Sequence, residues 1–198
     1  MIPCSDEGEG PAVLLLHGSE SSSAMWKELV PLLVPWMRVI VPDFGDSADA
    51  RDRAAAVREL LEELQVTEEF AAVGHDSGGD VAQILALEGG VKTLVLFGCK
   101  PAAPIEELER LEMPAFLLWG EDDEIVPHAV AEGLSDALDA STLALIPGCG
   151  HSPIEEDIAT AGPLVYEFLR ARFLGRSHGH SEEPIPIEVL TQRPEPPR

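Results

Sequence analysis

The sequence predicts an α/β protein, a three-layer αβα sandwich on a mainly parallel sheet of about six strands. Three observations carry that prediction. The strand-type segments are continuous apolar runs rather than alternating ones, as expected where both faces of a sheet are covered. They alternate along the chain with helix-type segments, the pattern of parallel strands joined by crossover helices. Chemically active side chains recur at the carboxyl ends of those runs, where such sheets bind ligands.

Each element follows in order. "AVLLLHG" (12–18) is a buried-type strand ending in glycine, and "SAMWKELVPLLVP" has helical spacing with Trp26, Leu29, Val30 and Leu33 on one face. "MRVIVPD" is a second strand, and "DARDRAAAVRELLEELQV" an amphipathic helix whose charges lie opposite Val57, Leu60, Leu61 and Leu64. "FAAVGHD" is a third strand, followed by the helix "DVAQILALEGG", which Gly89 and Gly90 stop. "VKTLVLFGC" is a fourth strand, "IEELERLE" a short helix and "PAFLLWG" a fifth strand. "PHAVAEGLSDAL" is a helix, "STLALIPG" a sixth strand and "IATAGPLVYEFLRARFL" the closing helix. Residues 1–174 thus form one domain, and the Pro-rich 175–198 is expected to be a flexible tail with no periodic face to pack. There is no internal repeat.

Bulk properties narrow the function. The chain has 198 residues, 45% of them apolar, enough for one globular domain with a core. A formal charge of −23 repels nucleic acids and anionic membranes, and no basic stripe offsets it. Solubility or adaptation to high salt explains that charge without an acidic-partner role. No apolar stretch is long enough to span a bilayer, and the start, "MIPCSDEGEG", is acidic, so a soluble cytoplasmic protein is expected. Cys4, Cys99 and Cys149 form no Cys-x-x-Cys pair, which points away from a disulfide framework or a zinc site. His178 and His180 in "SHGH" are a weak metal pair at most. With no phosphate loop or dinucleotide fingerprint, neither a cofactor nor a metal is expected, and the partner is a small-molecule substrate.

The strand ends carry His17-Gly18, Asp43, Asp76, Cys99, Asp122-Asp123 and, past the last strand, His151. The motif "VGHDSGG" (73–79) is the sharpest of these features. A strand that doubles back into a helix with a reactive residue at its apex needs small residues two before and two after that residue. Centred on Asp76, those places are Gly74 and Gly78; centred on Ser77, they are His75 and Gly79, and the histidine does not fit. An aspartate at a helix start also serves as an N-cap, but that role leaves the flanking glycines unexplained. Ser77 remains the alternative.

"LLLHGSESSSAMW", "RVIVPDFGDS", "AAVGHDSGG", "FLLWGEDDEIVP" and "IPGCGHSPIEED" resemble the successive signature segments of the α/β-hydrolase fold, from about residue 10 to about 174. That resemblance implies a nucleophile, acid and histidine in this chain order, which Asp76, Asp123 and His151 keep. It implies backbone N–H groups at Ser19 or Glu20 and at Ser77 as an oxyanion hole. His17, Trp26 and Phe44, at or near strand ends, are the candidate substrate-binding residues, although packing is the plainer role for Trp26 and loop orientation for His17. "Gly-His-Asp" at the elbow is similar to the haloalkane dehalogenase and epoxide hydrolase branch, in which a carboxylate displaces a leaving group and a histidine-activated water opens the resulting ester.

Three departures from that branch matter. A serine follows Asp76 where the dehalogenases have a tryptophan. The sole tyrosine, Tyr166, falls in the closing helix. Between the fourth and fifth strands there is only "CKPAAPIEELERLEM", too short for a helical cap, so a minimal lidless core with a shallow, wet site is expected. The first strands of the fold are expected to be missing or reduced to a fragment. Phe44, Trp26, Pro101 and Ile105 are then candidates for a homodimer surface. The functions left open are a hydrolase using Asp76, a serine esterase or thioesterase using Ser77, and a non-catalytic binding protein on a hydrolase core.

Overall fold

The computed structural model describes residues 2–44 and 49–173. The predicted tail, with His178 and His180, and residues 45–48 lie outside the described residues. Seven strands form one sheet: β1 (Cys4–Glu7), β2 (Ala12–Leu16), β3 (Arg38–Pro42), β4 (Phe70–His75), β5 (Val91–Phe97), β6 (Ala115–Gly120) and β7 (Ser141–Ile146). Their order is β1-β3-β2-β4-β5-β6-β7, all parallel except β1, which runs antiparallel to β3 with Cys4 opposite Pro42. The chain steps from β2 outward to β3, then returns to lay β4 on the other side of β2. That reversal opens a crevice at the carboxyl ends of β2 and β4, the place where open α/β sheets take ligands.

The helices are α1 (Val30–Leu33), α2 (Ala50–Glu63), α3 (Ser77–Glu88), α4 (Ile105–Leu108), α5 (His128–Ala137), α6 (Pro153–Glu156) and α7 (Ile158–Phe173), with a 3-10 turn at Ser23–Trp26. Successive side chains of a strand point to opposite faces, and the core divides accordingly. Leu14, Leu16 and Ala72 pack with Val57, Leu60, Val81 and Leu85 of α2 and α3. Val13, Leu15 and Val73 pack with Trp26, Leu33, Val165 and Leu169 on the other face. Asp49 starts α2 by accepting from the amides of Arg51 and Asp52 at 2.8 and 3.1 Å, a side-chain cap for donors that a helix start leaves unpaired.

Three differences from the sequence reading have physical causes. The helix expected over 23–35 is split into the 3-10 turn and α1, because Pro31 and Pro35 lack an N–H and crowd the preceding turn. The seventh strand, β1, was not read because it is a four-residue edge strand of mostly exposed polar side chains with no apolar run. It is the reduced fragment expected in place of the fold's first strands. The run 105–112 yields only α4, and α6 was not anticipated at all. Between β5 and β6 lie residues 98–114, with α4 as their one helix, so no cap is inserted there. No helix among the described residues is long and apolar enough to cross a membrane.

Candidate active site

The apex between β4 and α3 belongs to Asp76. Its φ of 50° and ψ of −128° lie where a side chain is rarely tolerated, a conformation that costs on the order of 1–3 kcal/mol and persists only when its surroundings impose it. They do so here. The Asp76 N–H donates to the Phe97 carbonyl at 3.0 Å, and its own carbonyl accepts from Gly79 at 2.8 Å. The glycines make room for the reversal: a Cβ at Gly74 would stand 2.5 Å from the Gly78 oxygen, and one at Gly78 would strike the Leu16 and His17 carbonyls. Ser77 is already the first helical residue. The strained position is the aspartate, not the serine.

His151 approaches Asp76 from the loop after β7. Its Nε2 lies 3.9 Å from Asp76 Oδ1, and its Nδ1 lies 2.9 Å from Asp123 Oδ2. The Asp123 side chain is fully enclosed, and its other oxygen accepts from the Ile125 and Val126 amides at 2.9 Å each. A carboxylate so placed fixes the proton on Nδ1 and leaves the Nε2 lone pair facing Asp76. The 3.9 Å gap is too long for a direct hydrogen bond and is the kind of spacing a water bridges. Two residues not singled out as supports hold the histidine loop. Glu156 accepts from the Gly150 amide at 2.7 Å and the Ser152 amide at 2.9 Å, clasping His151 from both sides. His75, packed beneath the elbow, places its Nε2 3.0 Å from the His151 carbonyl and its ring centroid 4.8 Å from that of His151. Burial pulls the His75 pKa down, so it stays neutral as a donor. For Glu156 the signal was the acidic pair Glu155-Glu156, four and five residues past His151.

The loop after β2 packs against the elbow. The Ser19 N–H, read as an oxyanion donor, donates to Ser77 Oγ at 2.8 Å, and the Ser77 hydroxyl donates in turn to Ser19 Oγ at 3.2 Å. Glu20 is exposed in the same loop. Gly18 lies hard against the reactive group, since a Cβ there would be 2.6 Å from Asp76 Oδ2. The three candidate substrate-binding residues are all buried. His17 (1% exposed) places Nδ1 2.8 Å from the Gly18 carbonyl and accepts from the Phe44 amide through Nε2 at 3.3 Å, which makes it a loop brace. Phe44 packs tilted against His17, with ring centroids 5.2 Å apart and the planes at 48°. Trp26 has no exposed surface and packs on Phe97, because its helical spacing turned it into the core rather than to the rim. Phe44 and Trp26 therefore supply no dimer surface either, whereas Pro101 and Ile105 are exposed.

Arg53 of α2, read as one of that helix's solvated charges, is 2% exposed. Its guanidinium carbon stands 5.0 Å over the Phe44 ring, and Nη1 donates to Ser77 Oγ at 3.5 Å. Asp80, one turn into α3, has its pKa raised to about 6, first by burial and then by the Asp76 carboxylate, with Lys100 opposing. Burial also pushes the Cys99 thiol well up, so it is an unreactive packing group beside Gly79. Among the described residues no group of three His, Cys, Asp or Glu side chains is arranged to hold a metal. A cleft of about 420 Å³ lined by Gly10, Arg38, Thr67, Lys92 and Phe173 lies at the amino ends of the strands, away from all these groups.

Comparison with known proteins gives a consistent picture. The model of the dienelactone hydrolase family matches residues 36–159. A fluoroacetate dehalogenase from Burkholderia sp. is 33% identical over 135 residues, which is 60% of this chain and 44% of that protein. A soluble epoxide hydrolase from Corynebacterium sp. (strain C12) is 37% identical over 90 residues, 41% of this chain and 31% of that protein. The chain thus spans less than half the length of these relatives. A meta-cleavage product hydrolase from Pseudomonas fluorescens IP01 superposes with a TM-score of 0.79 at 20% identity, covering 84% of this chain and 93% of that one. At that identity the likeness is one of fold, the mostly parallel sheet of the α/β hydrolases.

Proposed function

The chain belongs to the dienelactone hydrolase family, and we propose that it is a hydrolase in which Asp76 is the nucleophile, His151 the base and Asp123 the residue that orients the base. The observation that carries this reading is the left-handed backbone of Asp76, with His151 Nε2 3.9 Å from its carboxylate and Asp123 locked behind the ring. Ser77 Oγ is engaged with Ser19 and Arg53. The substrate is a small electrophile: an epoxide or an organohalide, the chemistry that the names of the dehalogenase and epoxide hydrolase relatives indicate, or an ester.

In the first step an Asp76 oxygen forms a bond to the electrophilic carbon, and the leaving group departs with the electron pair of the broken bond. A carboxylate is ionised at neutral pH and needs no base for this. In the second step a water in the gap beside Nε2 gives its proton to His151 and adds to the ester carbon of Asp76. The resulting oxyanion is received by the Ser77 backbone N–H, one of the donors a helix start leaves unpaired. Collapse expels the product alkoxide, which takes the proton from His151, and the carboxyl left on Asp76 releases its remaining proton to solvent, which restores the carboxylate.

The test is intact mass after exposure to styrene oxide, bromoacetate and p-nitrophenyl acetate. His151→Gln is expected to accumulate a substrate-sized adduct on Asp76, and Asp76→Ala to show neither adduct nor turnover. An adduct mapped to Ser77, or an active Asp76→Ala, would overturn the assignment. Silence with all three electrophiles would shift the weight to a binding protein.

A further inference from the structure

Arg53 is a guanidinium shut inside the molecule, and it contacts Ser77, the residue that follows the reacting carboxylate. Among the described residues it donates to the hydroxyl of Ser77, the neighbour of Asp76, and that hydroxyl holds the Ser19 amide of the loop that presses on Asp76 through Gly18. Burying a guanidinium without a nearby anion is costly. Burial lowers the Arg53 pKa, and the Asp76 carboxylate acts in the opposite sense. The two charges therefore stabilise each other in the resting protein.

Resting on the reading of Asp76 as nucleophile, we propose that Arg53 is a positioning residue that favours the second half of the reaction over the first, through the Arg53–Ser77–Ser19 contact and the field of its buried charge. When Asp76 becomes a neutral ester, the charge that Asp76 itself contributes near Arg53 is gone. When water adds, an oxyanion appears on the same carboxyl carbon and the charge is restored. The interaction is thus stronger in the hydrolytic transition state than in the ester that precedes it, which is the condition for acceleration. In the first step the sign reverses, because the charge that Arg53 stabilises moves from Asp76 onto the leaving group. Arg53 acts against formation of the adduct and for its destruction.

A residue that merely kept the core folded would slow both steps together. The experiment is single-turnover mass spectrometry with styrene oxide and bromoacetate on full-length wild type, Arg53→Gln, Arg53→Lys and Ser77→Ala. Arg53→Gln is expected to form the Asp76 adduct at least as fast as wild type and to hydrolyse it slower by roughly tenfold or more, below the 10²–10³-fold loss of a direct oxyanion donor. Arg53→Lys, which keeps the charge, is expected to hydrolyse within a few-fold of wild type. Ser77→Ala leaves the packing of Arg53 in place and cuts the contact, so it is expected to slow hydrolysis alone even if Arg53→Gln does not fold. Equal slowing of both steps in Arg53→Gln, no rescue by lysine, or wild-type hydrolysis in Ser77→Ala overturns the inference. An adduct in His151→Gln with any of these results sinks the role of Arg53 alone; no adduct in His151→Gln sinks the nucleophile assignment with it.

Discussion

Asp76 and Ser77 sit side by side in the chain, yet the backbone treats them differently, and the difference was readable from two glycines. Gly74 and Gly78 bracket the residue that must reverse direction, and Asp76 is the one with positive φ. Arg53 was not readable. Its place on α2 follows the charged stripe, and nothing in the spacing shows that Phe44 and Ser77 come from distant segments to enclose it. The Ser19 contact was not readable for a similar reason, since sequence places a backbone N–H in a loop but does not say which acceptor it finds. Asp123 is the residue whose role is most sharply defined by contacts. Asp123→Asn keeps a carbonyl oxygen for the Ile125 and Val126 amides and turns an amide N–H₂ toward His151 Nδ1. That favours the wrong tautomer, so turnover should fall by roughly a hundredfold or more with little change in melting temperature. A variant that unfolds earlier in thermal melts, or one that retains turnover, would contradict this account.

At the scale of elements, the buried strands were the most readable part. Continuous apolar runs such as "AVLLL" and "AFLLWG" are strands with every residue buried. What escaped were elements too short to show a period: β1, α6 and the two halves of the expected first helix. The start of α3 carries a cost of its own. Its first turn brings Asp80 within the influence of Asp76, and the raised pKa of about 6 means that folding favours the protonated carboxyl. The sign follows directly. The unfolded chain gives up this proton near the ordinary 3.8 and the folded one near 6, so stability is lost as pH rises between those values and stays lost above them. Asp80→Asn should therefore melt higher than wild type above pH 6, by on the order of 1 kcal/mol after allowing for solvent screening. The gain should vanish below pH 4. Equal stabilities at pH 8 in denaturant titrations would show that Asp80 is better solvated than its surroundings suggest.

The whole molecule carries a charge of −23, and among the described residues no cap covers the crevice edge. A field of that size acts on encounter before any contact forms, and salt screens it within about 10 Å at 0.1 M. Raising ionic strength should increase kcat/KM for bromoacetate several-fold while leaving that for styrene oxide nearly unchanged. Parallel salt profiles for the two would mean that the acidic surface does not reach the site. The short connection between β5 and β6 has a broader meaning. It leaves β5 at the carboxyl edge, where the crevice opens, and crosses to the start of the parallel neighbour β6, so its ends are fixed by the sheet rather than by its own length. Lengthening a loop so anchored adds only about 0.6 kcal/mol for each doubling. Residues 98–114 are thus a grafting point, where a substrate-selecting module can be added or removed as a separate part while the elbow, the histidine loop and the buried arginine keep their places.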